Sequence, residues 1–301
     1  MPNKILITGG SGLVGNHLSN LLTEAGHQVV HLSRNVSGNE PYPTFKWDIH
    51  KGEIDETAFD QVTHIVHLAG AGVADKKWTD ERKKVILDSR IKSTELLFTY
   101  ASKLDLNLKS YISASAIGLY PYNDEVWAYE HTDPGEGFLP DVVKEWEKAA
   151  DLFQGVASVA KVRIGVVLSP EGGAMAEIAR PIKMFAGAPL GSGQQVMSWI
   201  HIHDLAGIFK FIIEEEIQGV FNATSPNPAT NAQLTRCIAR ALQKPLILPK
   251  VPAFVMKMML GQMAEIVLKG SKVSSAKIQT AGFNFKFPEL DEAVKDLLGK
   301  K

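Results

Sequence analysis

Cysteine is nearly absent from this chain. Cys237 stands alone among 301 residues, so no internal disulfide forms and a reducing compartment fits. Neither sign of charge is in excess: 32 Lys and Arg face 33 Asp and Glu, without the basic surplus that neutralising a nucleic-acid backbone requires. Long apolar runs are missing too. The most lipid-like stretch, VPAFVMKMMLGQMAEIVL at 251–268, holds Lys257, Gln262 and Glu265, and reads as a buried or interfacial helix rather than a span. The first strand begins within a few residues of Met1, so no signal peptide is expected. Metal-ligand clusters are lacking: His201, His203 and Asp204 are too close in sequence to close a shell, and no metal is expected. The expectation is a cytoplasmic, soluble protein without nucleic-acid or membrane partners. Repeats and low-complexity tracts are also missing.

What is present is alternation. KILIT reads as a buried strand, and Leu13, Val14, Leu18, Leu21 and Leu22 then return at helical spacing until Gly26. Strands follow at HQVVHLSR, TFKW, THIVHLAG, LKSYISASA and ASVAKVRIGVVLS. Helices fall at 80–103, with Thr79 as cap, and at PDVVKEWEKAADLF. Such alternation predicts an α/β fold: a Rossmann-like, doubly wound parallel sheet covered on both faces. After Pro170 the rhythm breaks, and prolines punctuate the last 75 or so residues. We expect residues 1–170 to form the nucleotide-binding domain, with 205–222 returning to it. Residues 171–204 and 223–301 form a smaller, mostly helical C-terminal lobe. Met256, Met258, Met259 and Met263 are half of all eight methionines, and they read as a core or dimer helix before a pocket lid, so a homodimer stays open.

The sequence ILITGGSGLVG places Gly9, Gly12 and Gly15 between a strand and a helix. There the unpaired amides of the helix N-terminus form a ready anion site. Gly9 permits the turn, Gly12 leaves room for a pyrophosphate, and Gly15 lets helix and strand approach. The loop residues Gly9, Ser11, Gly12, Leu13, Val14 and Gly15 are the expected cradle. An NAD site offers a carboxylate at the end of the second strand. This strand ends in HLSRN, and no Asp or Glu appears before Glu40. Ser33 and Arg34 suit a 2′-phosphate instead, so NADP is the expected cofactor.

The Gly-x-x-Gly-x-x-Gly spacing after Thr8 resembles the extended short-chain dehydrogenase/reductase superfamily. HLAG at 67–70, SWIHIHDLA at 198–206 and GVFNATSPNPAT resemble its phrases. SASAIGLYP, EWEKAA, RIGVVLSPEGGAM, PLGSGQQVMSWIHIHDLAGI and KVSSAKIQTAGFNFKFPELDEAV narrow the likeness to its atypical branch, the epimerase family that includes human SDR family 39U. The likeness covers essentially the whole chain.

The resemblance implies an NADP-dependent oxidoreductase or epimerase acting on a small polar molecule such as a nucleotide sugar. It sets Leu68, Ala69 and Gly70 beside the cofactor and Arg90 near it. It offers Asp48 to the adenine amino group, though Asp48 could equally cap a turn. It matches Ser115 to the catalytic serine, with Ser113 alongside. The usual Tyr-x-x-x-Lys falls on Leu139 and Val143, and neither transfers a proton. Lys144 is one residue late, about 100° round a helix. Tyr120, in the loop after the fifth strand, is the substitute offered. Arg163 either holds a substrate anion or pairs internally. His201 is offered to the substrate cleft, and Trp78 and Trp199 to stacking or packing. The missing pair keeps a second class open: a non-catalytic NADP(H)-binding sensor or partner-binding protein.

Overall fold

The computed structural model describes residues 2–299. The chain runs β1 (Lys4–Thr8), α1 (Leu13–Glu24), β2 (Gln28–Ser33), β3 (Thr44–Asp48), β4 (Glu53–Ile54), β5 (His64–His67), α2 (Asp80–Lys103) and β6 (Ser110–Ala116). It continues through β7 (Asn123–Ala128), α3 (Phe138–Ala150), β8 (Ser158–Ile164), β9 (Val166–Leu168), α4 (Gly173–Lys183), β10 (Val196–Met197), β11 (Trp199–His201) and α5 (Ile202–Glu214). It closes with β12 (Gly219–Ala223), β13 (Ala229–Thr230), α6 (Asn231–Ala241), α7 (Ala253–Leu260), α8 (Ala264–Leu268), β14 (Ser271–Val273), α9 (Ala276–Thr280) and α10 (Leu290–Leu298).

An eight-stranded sheet, ordered β12-β8-β6-β5-β1-β2-β3-β4, organises the molecule. All its pairings are parallel except that of β3 with β4. Side chains of a strand alternate faces, so a strand apolar at every position needs cover on both. β1 shows this: Ile5 and Ile7 join one buried cluster with Leu18 of α1 and Phe209 of α5, while Leu6 joins another with Leu97 of α2 and Tyr111. Each fully buried aliphatic side chain contributes roughly 1.5–3 kcal/mol. Tyr111 and Phe153 stack almost parallel at 3.7 Å within the second cluster. α2 begins as expected, with Thr79 accepting a hydrogen bond from the amide of Arg82.

The sixth expected strand does not run through. It breaks at Gly165, where a Cβ would lie 2.4 Å from the Ser198 carbonyl oxygen. β8 stays in the main sheet, and β9 leaves it to pair with β11. A third buried cluster gathers α4, α6 and α10 around Leu168, Trp199, Ile238 and Val294. A parallel pair of β7 and β14, absent from the sequence reading, ties the chain before α9 to the loop after β6. The 251–268 stretch is not one helix: Gly261, at φ +60°, separates α7 from α8. Met263 is buried, but no residue of α7 is, so the core-helix expectation fails there.

Candidate functional site

Strand order reverses between β1 and β5, since the chain leaves β1 toward β2 on one side and β5 toward β6 on the other. Open α/β sheets bind ligands outside the strand ends at such a point. The glycine loop lies there. Gly9 has φ +70°, and a Cβ on it would come within 3.0 Å of the Ala69 amide nitrogen. The Gly12 amide donates to the Gly9 carbonyl at 3.0 Å and closes the turn. A Cβ on Gly15 would meet Gly9 O at 2.4 Å, so helix and loop touch backbone to backbone. No side chain caps α1, and its first turn holds no acid, which leaves its amides free for an anion. Ser11 and Gly12 are exposed at the mouth, with Leu13 and Val14 half-buried.

At the end of β2, Arg34 is exposed and has no carboxylate partner among the described residues. Ser33 Oγ donates to the Asn35 carbonyl and shapes the turn. Glu40 does not compete for a ribose, because its carboxylate accepts from the Ser37 and Gly38 amides, which hold its pKa below the usual range. Asp48 Oδ1 accepts from the His50 and Lys51 amides, so it caps a turn.

Behind β5, His67 is fully buried between Thr8 Oγ1 at 2.6 Å and Ser93 Oγ at 2.9 Å. Burial pulls its pKa down to about 3, so it is a neutral spacer. The Ala69 amide donates to Thr8 Oγ1, fixing the two strand ends together, and Leu68 packs at the edge of the first cluster. Arg90 projects from α2 under Gly70, where a Cβ would lie 3.1 Å from its Cζ. It is 8 % exposed, its Nε has no partner, and no carboxylate among the described residues pairs with it. Burial lowers its pKa to about 10, which still leaves a cation at neutral pH. Its Cζ sits 4.7 Å from the centre of the Trp146 ring. A buried guanidinium without a counter-ion fits an anionic ligand arriving at the crevice.

The end of β6 carries a polar chain. Ser115 Oγ donates to Glu147 Oε1 at 2.6 Å, and Glu147 is clamped by Arg163 through Nε at 2.7 Å and Nη2 at 2.8 Å. Burial opposes charge on Glu147, but the Arg163 guanidinium outweighs it and holds the carboxyl below its ordinary pKa. Arg163 Nη1 donates to Tyr120 Oη at 2.8 Å, and Tyr120 Oη donates to Asn222 Oδ1. Ser113, 1 % exposed, donates to the Ala114 carbonyl.

Residues 5–140 match the NAD dependent epimerase/dehydratase family, and residues 251–297 match a domain of unknown function numbered 1731. An epimerase family protein of Staphylococcus aureus is 36% identical over 304 residues, covering 99% of both chains. One from Bacillus subtilis is 33% identical over 303 residues, again covering 99% of each. The chain belongs to the epimerase family. The structure of the human epimerase family protein SDR39U1 (isoform 2) with NADPH superposes at TM-score 0.89 with 31% identity, covering 98% of this chain and 99% of that one. A nucleoside-diphosphate sugar epimerase from Corynebacterium glutamicum superposes at 0.80 with 29% identity, covering 99% of this chain and 59% of that one.

Within this epimerase-family chain, several expected positions serve the fold instead. Tyr120 is 2 % exposed and packed with Ala128 and Val273, so it is enclosed rather than offered to the crevice. Burial raises its pKa, with Arg163 acting against that. Arg163 pairs internally. His201 is 3 % exposed and its Nδ1 caps α5 by accepting from the His203 amide, which takes it out of the cleft. Asp204 accepts the Lys286 and Phe287 amides. Trp199 is fully buried, with Nε1 donating to the Asn227 carbonyl. Trp78 stays half-buried, edge-on to Phe138 at 4.8 Å. On α3, Val143 is buried, while Lys144 faces outward and pairs with Asp141 at 2.6 Å. Glu147 escaped the sequence reading. It lies four residues beyond Val143, one helical turn on, and only the fold brings it to Ser115 and Arg163.

Proposed function

We propose that the crevice between β1 and β5 binds NADP(H), and that the protein is an NADP-dependent oxidoreductase or epimerase acting on a small polar substrate, a nucleotide sugar. The observation that carries this reading is the exposed, carboxylate-free Arg34 beside the uncapped start of α1. Amides of the Gly9–Gly15 loop hold the diphosphate, and Arg34 receives the 2′-phosphate, the Ser33 hydroxyl being engaged by the Asn35 carbonyl. Arg90 supplies the buried positive charge beside Gly70. The bound nicotinamide would donate or accept hydride. Ser115 is 2 % exposed, as Tyr120 is, and has its proton directed to Glu147, so its only capacity toward a substrate is a lone pair. No Tyr–Lys pair stands at 139 and 143, so neither position moves the substrate's proton. The NADPH in the human relative's structure and the sugar-nucleotide description of the Corynebacterium relative support this reading.

A sensor reading has its own support: Leu139 and Val143 are aliphatic, Tyr120 is enclosed, and the Glu147 carboxylate is held ionised by Arg163. The deciding experiment titrates the protein with NADPH and NADH by nicotinamide fluorescence, then screens carbonyl and sugar-nucleotide substrates. Chromatography detects epimers. Saturable NADPH binding with turnover supports the enzyme, and binding without turnover of any class supports the sensor. No saturable binding overturns both.

A further inference from the structure

Helix α7 departs from the rule that an apolar helix is buried. Its sequence AFVMKMML carries one charge, yet Phe254 is 70 %, Met258 74 % and Met259 58 % exposed. A helix apolar on every side needs cover from protein or lipid. The chain before α7 lies on the same edge. Val251 N donates to Pro189 O, Gly191 N donates to Val251 O, and Lys250 Nζ donates to Ser192 O. The Lys244 ammonium lies 4.2 Å from the centre of the Phe185 ring. Met184, Phe185, Ile247 and Leu248, exposed as well, lie within a few residues of these tethered segments.

Charge selects the occupant. Residues 243–260 contain Lys244, Lys250 and Lys257 and no acid. Beside them Arg180 is neutralised by Glu177, Glu265 is engaged by Lys269, and Lys244 shares a hollow with Glu289, Asp291 and Glu292, so Lys250 and Lys257 carry the positive charge next to α7. A second copy docked through this edge about a two-fold axis would set lysine against lysine. A bilayer bearing anionic head groups satisfies the apolar and the cationic features together.

We propose that this edge docks on an anionic lipid surface. Phe254 and Met258, one turn apart on α7, enter the head-group boundary, Lys257 faces the phosphates, and Lys250 exchanges the Ser192 carbonyl for one of them. This is surface docking: no helix among the described residues is long and apolar enough to cross a membrane. The sequence reading expected no membrane partner, and this surface docking departs from that expectation.

The test is co-sedimentation of the full chain with vesicles of phosphatidylcholine containing phosphatidylglycerol, against phosphatidylcholine alone. The protein should pellet only with the anionic vesicles and be released by high salt. Phe254→Ser with Met258→Ser, and separately Lys250→Glu with Lys257→Glu, should each cut binding about tenfold. Unchanged melting by circular dichroism shows that both variants fold. Failure to pellet with anionic vesicles, or equal pelleting with both kinds, overturns the proposal. So does a sedimentation-equilibrium dimer that the same substitutions dissolve.

Discussion

Arg34 lies on the surface with no carboxylate partner among the described residues, so its removal isolates the cofactor's extra phosphate. Arg34→Ala should weaken NADPH about 10- to 100-fold and leave NADH within about twofold, since a charged hydrogen bond is worth about 1.5–3 kcal/mol. Parallel fluorescence titrations check this, and equal losses for both nucleotides would count against it. Glu147 acts inside the fold. Glu147→Ala leaves Arg163 buried without its carboxylate, and urea unfolding should show a loss of about 3–5 kcal/mol. Glu147→Gln, which keeps the shape and an acceptor, should lose less. Ser115 stood out in the sequence because it lies near the end of a strand in a phrase that resembles known relatives, and its part in catalysis belongs to the proposal. Glu147 was not, since its partners sit 32 and 16 residues away along the chain. Asp48 had two readings, and the turn one is occupied through Oδ1.

Elements written by local periodicity were readable from the chain alone. β1, α1, β2 and α2 each carry apolar spacing and a start or stop residue of their own. β7 carries none: its residues are mostly exposed, its first three are polar, and only pairing with β14 makes it a strand. Gly165 looked like one residue inside a continuous strand, whereas the Ser198 carbonyl pressed against it ends β8 and starts β9. Backbone contact also sets the cradle. Gly15→Ala would put a methyl 2.4 Å from Gly9 O and 2.6 Å from Gly10 Cα. The cost should be about 1–3 kcal/mol, with loss of saturable NADPH binding. Calorimetry and titration of one preparation read both effects, and a variant that binds normally would contradict the close packing.

The whole molecule buries His31, His64, His67 and His201, and burial lowers their pKa values to about 4, 4, 3 and 4 from 6.5. Between those values and 6.5 the unfolded chain binds more protons, so stability rises with pH there and falls on acidification. Melting temperature should therefore drop as pH goes from 7 to 5, above the range where most carboxylates titrate. His31→Gln combined with His64→Gln should flatten that slope; a flat wild-type profile would argue against neutral burial. The sequence by itself determined the parallel sheet, the glycine turn and the acid-free end of β2, because each depends on residues near one another in the chain. Tertiary structure alone decided that Arg163 closes on Glu147, that Tyr120 is enclosed, and that α7 stays uncovered. Those outcomes depend on which distant surfaces meet, and a side chain's pairing is set by the neighbours that folding delivers.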